Sequence, residues 1–295
     1  MLRLAARRFV EQDMAHHASA LTYHAVLALF HALLLGVALI GLLGTGRTID
    51  RLAAFLRGTG VDPRVIDGVL AAARDAADAR TASAVALVLS VAFALFVCSS
   101  AFVAAGTALN VVLEARDDRS PLRRRLDGVR DSVVAIVLAV AASIAVFLGG
   151  DLATELFGVV GLGGAATAVW AAVRYPVAAI LAVTAFAWLY FTAPRVHRPR
   201  WRWITLGAVA GVGLWLLASV ALFLFAARSG SYNETYGTFA TAILLVVWLW
   251  VSNVTLLFGA EVNAAGRYIE GARPPISRSE DPPETAQHEA AKRNV

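Results

Sequence analysis

Residues 82–113 read ASAVALVLSVAFALFVCSSAFVAAGTALNVVL, thirty-two positions without a charged side chain. Wound as a helix at 1.5 Å per residue, such a run is roughly 48 Å long and exceeds the roughly 30 Å hydrocarbon core of a bilayer. Five more runs reach spanning length, at 19–43, 129–149, 170–192, 204–227 and 238–265. None shows strand alternation over a comparable length, and an open sheet edge has no place in lipid, where every backbone polar group must be bonded internally. The expected fold class is therefore all-α: a polytopic membrane protein with six transmembrane helices.

Composition agrees. Hydrophobic residues make up 59% of the 295 and charged residues 16%, against about 45–50% and 25% in soluble domains, and mean hydropathy is +0.67. The first apolar run is about 25 residues long, too long for a cleavable signal core, and is expected to remain as an anchor. A single cysteine, Cys98, excludes an internal disulfide and any multi-cysteine metal site.

Arginine placement sets the expected orientation. Eighteen of the 26 basic residues flank the termini and the even loops, including Arg3, Arg7, Arg8, Arg119, Arg123, Arg124 and Arg125. The first external loop, 44–81, has six arginines offset by aspartates. The positive-inside rule then places both termini and the even loops in the cytoplasm. The expected organisation is a cytoplasmic N-terminal segment over 1–18, a six-helix membrane domain over 19–271, and a disordered cytoplasmic tail over 272–295. Within the loop 44–81, the spacing of Ile49, Leu52, Phe55 and Leu56, and of Val65, Ile66, Val69 and Leu70, predicts two short amphipathic helices. They would lie either on lipid or over the mouth of the bundle. The glycine-rich stretch 150–169 is expected to dip back toward the bundle. The arginines are dispersed around the spans, so nucleic acid is not an expected partner. Membrane lipids are, with anionic headgroups expected at Arg123, Arg124 and Arg125 and along the loop from Arg195 to Trp203. Oligomeric state is not legible.

Several polar residues interrupt the apolar runs. His17, His24 and His31 are seven apart, so they form one stripe along the first span with a drift of about 20° each. Titratable groups at membrane depth often mark proton or ion paths. The plainer alternative places His17 at the headgroups, with His24 and His31 bonded to neighbouring helices. Arg174 could bind an anion or pair with Asp151 or Glu155, or snorkel to the interface. Glu261 and Asn110 sit near the inner ends of their spans, where a clasp to an arginine or amide is expected. Gly207 and Gly211 form a small-residue face for close helix packing. No Walker loop, HExxH pair or nucleophile elbow is present, so neither enzyme chemistry nor a metal or other cofactor is expected.

Short blocks stand in order along the chain, beginning with Ala18-Ser19-Ala20-Leu21-Thr22-Tyr23 and Ala108-Leu109-Asn110. Leu189-Tyr190, Pro194, Trp203 and Gly207-Ala208 follow, and then Tyr236-Gly237, Leu244 to Trp250 and Gly259-Ala260-Glu261. In this order they resemble the YihY/BrkB family, of UPF0761 type and once labelled ribonuclease BN, and the resemblance implies a location in the bacterial plasma (inner) membrane. Tyr190 joins the candidate polar residues on that ground. Departures from the family pattern are Ala28 and His31 in place of Ser and Pro, Leu113 in place of Trp, and Leu216 and Ser219 in place of a Glu and a Lys. The resemblance implies a six-helix fold and, by analogy with relatives linked to envelope lipid movement, a transporter or flippase-like protein for a lipid or amphipathic envelope component, with no ATPase of its own. Such a protein would have a cavity among the first, second, fourth and sixth spans. The alternative is a non-catalytic structural or scaffold protein of the envelope, with a dry bundle.

Overall fold

The computed structural model of the chain describes residues 1–43, 84–147, 164–194, 205–228 and 238–269, with short stretches between 53 and 75 and between 153 and 158. The described residues form seven longer helices and no strand: α1 Leu2–Glu11, α2 Met14–Leu43, α3 Ala84–Val112, α4 Pro121–Phe147, α5 Gly164–Thr192, α6 Leu206–Arg228 and α7 Thr238–Ile269. The molecule is an all-helical membrane protein. Among the described residues, five segments are long and apolar enough to cross a bilayer: Val91–Val112, Pro121–Val146, Ala165–Thr192, Leu206–Arg228 and Ala242–Ile269. Helix α2 is 30 residues long, and its side chains beyond His31 lie outside the described residues.

Each of α2 to α6 packs on the next helix in sequence, α6 packs on α7, and α7 returns to α2, which closes a ring. The start of α2, the end of α3 and the end of α7 meet at one end of the bundle. We call this the basal end. The main core lies there, built from Met14, Ala18 and Leu21 of α2, Ala105, Ala108, Leu109 and Val112 of α3, Leu189 at the end of α5 with Ala193 just beyond it, and Leu256, Leu257, Ala260 and Ala264 of α7. Alanine dominates because lipid supplies no hydrophobic drive between helices; close backbone approach and dispersion hold them instead. Outward-facing Val133, Ile136, Val137, Val140 and Ile144 on α4 are exposed at helical spacing, as a lipid-facing stripe requires.

The observed helices outrun the apolar runs. Helix α4 begins at Pro121 rather than at 129, with proline in the first helical position and Ser120 Oγ accepting from Arg123 N at 3.4 Å. Its first turns are charged, and a hydropathy reading misses them. Helix α5 opens at Gly164 rather than 170, so the end of the glycine-rich stretch is regular helix. The expected boundary at residue 18 falls inside α2, and the N-terminal segment contains α1, packed on α7. Of the loop 44–81, the described positions are helical, with Ala53, Ile66 and Leu70 buried. Asp151, Glu155, the Arg195 to Trp203 loop and the tail 272–295 lie outside the described residues.

Candidate functional site

Two arginine-centred clusters close the basal end. In the first, α3 terminates in a Schellman arrangement: Ala115 N donates to Asn110 O at 2.8 Å and Glu114 N to Val111 O at 3.0 Å. The left-handed position falls on Glu114, at φ 51°, where glycine is the usual choice. Its carboxylate accounts for the choice. Glu114 Oε1 accepts from Tyr268 Oη at 2.8 Å and from Arg8 Nη1 at 3.2 Å. Arg8, 9% exposed, donates through Nε to Glu261 at 2.9 Å and through Nη2 to Val112 O at 2.9 Å, and its guanidinium lies 4.5 Å from the centroid of the Tyr268 ring. Gln12, oriented with its amide nitrogen toward the acceptors, donates to Glu261 Oε1 at 3.0 Å and accepts from Arg8 at 2.8 Å. A cation at the carbonyl end of α3 also complements the helix dipole. Burial alone would lower the Arg8 pKa, but the bond to Glu261 and its negative charge outweigh that and hold it above the ordinary value.

The second cluster forms the α3–α4 corner. Arg119 grips Asp117 with one edge, Nε to Oδ1 at 2.8 Å and Nη2 to Oδ2 at 2.9 Å, and reaches Asp127 through Nη1 at 2.9 Å. Its Nη2 also donates to Ala193 O, just past the end of α5, at 3.0 Å. The hydrogen bond from Arg119 holds the Asp117 carboxyl below the usual carboxylate range, against the opposing effect of burial. Asn110 Nδ2 lies 3.5 Å from Asp117 Oδ2, and Trp188 Nε1 donates to Asp131 at 3.2 Å. A half-open cavity of about 10 Å³ lies in this cluster, lined by Asp117, Arg119, Arg124, Asp127 and Asp131 among others, room for a single water.

Between the clusters, α6 meets α7 at its closest approach. A Cβ on Gly207 would collide with Gly259 O. Asn263 Oδ1 accepts from Gly207 N at 2.8 Å, and Thr205 Oγ1 accepts from Ala208 N at 3.1 Å, so both cap α6. A Cβ on Gly211 would press on Thr255 O, whereas Gly213 faces open space. Tyr190 bridges α5 to α7 by donating to Leu256 O at 2.6 Å.

The remaining polar candidates do not join this site. His31 Nδ1 lies 2.7 Å from Leu27 O in its own helix, and its ring meets Phe93. His24 packs edge-on to Tyr23, and His17 edge-on to His16. Arg174 donates to the hydroxyl of its neighbour Tyr175 at 2.9 Å. No group of three or more His, Cys, Asp or Glu able to hold a metal occurs among the described residues. Arg8, Gln12, Glu114, Asp117 and Arg119 were not singled out by the sequence reading as site residues. For Glu114, Asp117 and Arg119 the available signal was a dense acid–base run from 114 to 131 between two apolar runs, whereas Arg8 and Gln12 had none.

The distal half differs. Around the start of α5, Phe157, Ala165, Ala166, Val169, Trp170 and Val173 line an apolar groove of about 360 Å³. Neither it nor the basal cavity is lined by a histidine of α2 or by Arg174.

The family model described as Virulence factor BrkB matches residues 5–283 of this fold. The chain belongs to the virulence factor BrkB family. It is similar to the ribonuclease-like protein YfkH of Bacillus subtilis (strain 168), 25% identical over 171 residues, which cover 58% of this chain and 62% of that protein. It is also similar to UPF0761 membrane proteins of Laribacter hongkongensis, 34% identical over 91 residues (31% of this chain, 21% of that one), and of Chromohalobacter salexigens, 40% identical over 88 residues (28% and 20%). The match thus spans under two thirds of the first relative and about a fifth of the other two. No solved structure matches. Of the motifs that resemble this BrkB family, Ala108-Leu109-Asn110, Leu189-Tyr190, Gly207-Ala208 and Gly259-Ala260-Glu261 converge at the basal end. At two of the expected departures, Ser219 accepts from Trp248 Nε1 at 3.1 Å, a Trp–Ser bond between α6 and α7, and Leu216 is exposed.

Proposed function

We propose that this BrkB-family membrane protein spans the plasma (inner) membrane six times, through α2 to α7, with both termini cytoplasmic. It moves a lipid or amphipathic envelope component without an ATPase of its own. The arginine distribution supports the orientation, since most of the basic residues among the described ones lie at the basal end. One observation carries the transport reading: a basal end sealed by buried ion pairs faces a distal half with an apolar groove of about 360 Å³. The groove is shallow and open, and its lining is apolar, suited to lie against an acyl chain. The sealed end, with room for about one water, favours the second reading, a non-catalytic structural protein of the envelope.

Reconstitution into vesicles carrying headgroup-labelled phospholipid separates the two. The transport reading expects faster transbilayer exchange than in empty vesicles, slowed by Ala166→Trp in the groove. His24→Ala and Arg174→Ala report whether the polar residues of α2 and α5 lie on the route. Exchange at the empty-vesicle rate with folded wild-type protein would overturn transport and leave the structural role.

A further inference from the structure

One arginine at the α3–α4 seam is set differently from its neighbours. Arg119, Arg124 and Arg130 each reach a carboxylate. Arg125 reaches none among the described residues. Its Nη1 lies 3.0 Å from Ser99 Oγ, 2.8 Å from Ser100 Oγ and 3.2 Å from Phe96 O. The guanidinium carbon stacks 3.8 Å from the centroid of the Phe96 ring. These contacts fix the plane of the group and occupy one nitrogen and one face. Nε and Nη2 have no hydrogen-bond partner among the described residues, and together they form the edge of arginine that grips phosphate with two parallel bonds.

The surroundings are lipid-facing. Phe93 and Phe96 on α3, and Leu122, Leu126, Val133 and Val137 on α4, are all exposed. Arg125 lies four residues into the apolar segment Pro121–Val146, with the exposed Arg123 half a turn before it. A fixed cation on an apolar surface is costly unless an anion meets it.

We propose that Arg125, held by Ser99, Ser100 and Phe96, binds the phosphate of an anionic membrane phospholipid, whose acyl chains lie along Phe93, Phe96, Val133 and Val137. The charge complementarity selects the occupant: a zwitterionic lipid carries a cation that Arg123 and Arg125 would repel. This site is independent of whether the protein moves lipid.

Native mass spectrometry of the full chain in detergent tests it, with phosphatidylglycerol, phosphatidylcholine or inorganic phosphate added at equal concentration. The wild type is expected to retain phosphatidylglycerol in preference to phosphatidylcholine. Arg125→Gln is expected to lower the phosphatidylglycerol adduct roughly fivefold, the effect of one basic residue at an anionic surface. Arg125→Lys, which keeps the charge but loses the fork, falls between, and Arg7→Gln on α1 leaves the adduct unchanged. If Arg125→Gln is not monodisperse by gel filtration, Ser100→Ala and Arg125→Lys carry the same comparison, each with a weakened adduct. Wild-type retention in these variants, equal retention of both lipids, or Arg125-dependent uptake of inorganic phosphate as strong as that of the lipid would overturn the proposal.

Discussion

The basal and distal halves of one bundle are built on opposite terms. At the basal end, small residues let backbones meet: Ala108, Ala193, Ala260 and Ala264 are buried, and Gly207 lies against Gly259. Two arginines there bind backbone carbonyls at or beside the ends of α3 and α5. In the distal half, large side chains such as Phe93, Val173, Phe223 and Ile243 face outward, and a groove opens beside α5. In lipid, where burial of apolar surface gives helices no reason to associate, cohesion comes from contact and hydrogen bonds. It is therefore concentrated at the basal end.

If so, substitutions should fall in a steep order. Removing one partner of the Arg8–Glu261 pair strands a buried charge, so Arg8→Met or Glu261→Leu is expected to cost about 3–5 kcal/mol. The double variant should be less destabilised than either single one, as judged by unfolding of the purified protein in detergent. Next comes Gly207→Ala, which forces α6 from α7 and is expected to cost about 1–3 kcal/mol by the same measurement. Ser252→Ala removes the acceptor of Trp215 Nε1, a 2.9 Å bond between the same helices, with an expected loss of about 0.6–1.7 kcal/mol. Val137→Ala on the lipid-facing stripe should change stability by less than about 0.5 kcal/mol. A larger loss there than at Gly207 would erase the distinction between the halves.

The two basal clusters should also part company with pH. Because Asp117 titrates below the usual carboxylate range, its contribution is complete above its unfolded pKa of about 3.9. It is lost as pH falls through the lower folded value, so stability rises with pH across that acid window. Arg8 is shifted upward, so its contribution holds throughout the acid and neutral range and is lost only as pH rises through a strongly alkaline folded value. Hydrogen exchange should therefore show acid loosening at 117–124, with no matching change that depends on Arg8 protonation.

The spans were legible because their apolar runs have no alternative use, and Asn110 and Glu261 were conspicuous as polar residues within them. Helix α1 was not. Arginines near a membrane helix read as orientation signals, and nothing local tells Arg7, exposed beside Glu11, from Arg8, buried against a partner 253 residues away. The start of α4 carried a readable cap in Ser120-Pro121, diluted by the charges that follow. Glu114 occupies a place where the backbone favours glycine, and only its distant partners, Arg8 and Tyr268, explain it.

The division into a sealed and an open half is tested most directly by photolabelling in bilayers with a phospholipid that bears a carbene precursor on its acyl chain, read residue by residue. Labelling of 165–173 and 243–250, with 105–109 and 256–264 protected, is the expected result. Equal labelling of the interior faces of both halves would contradict it.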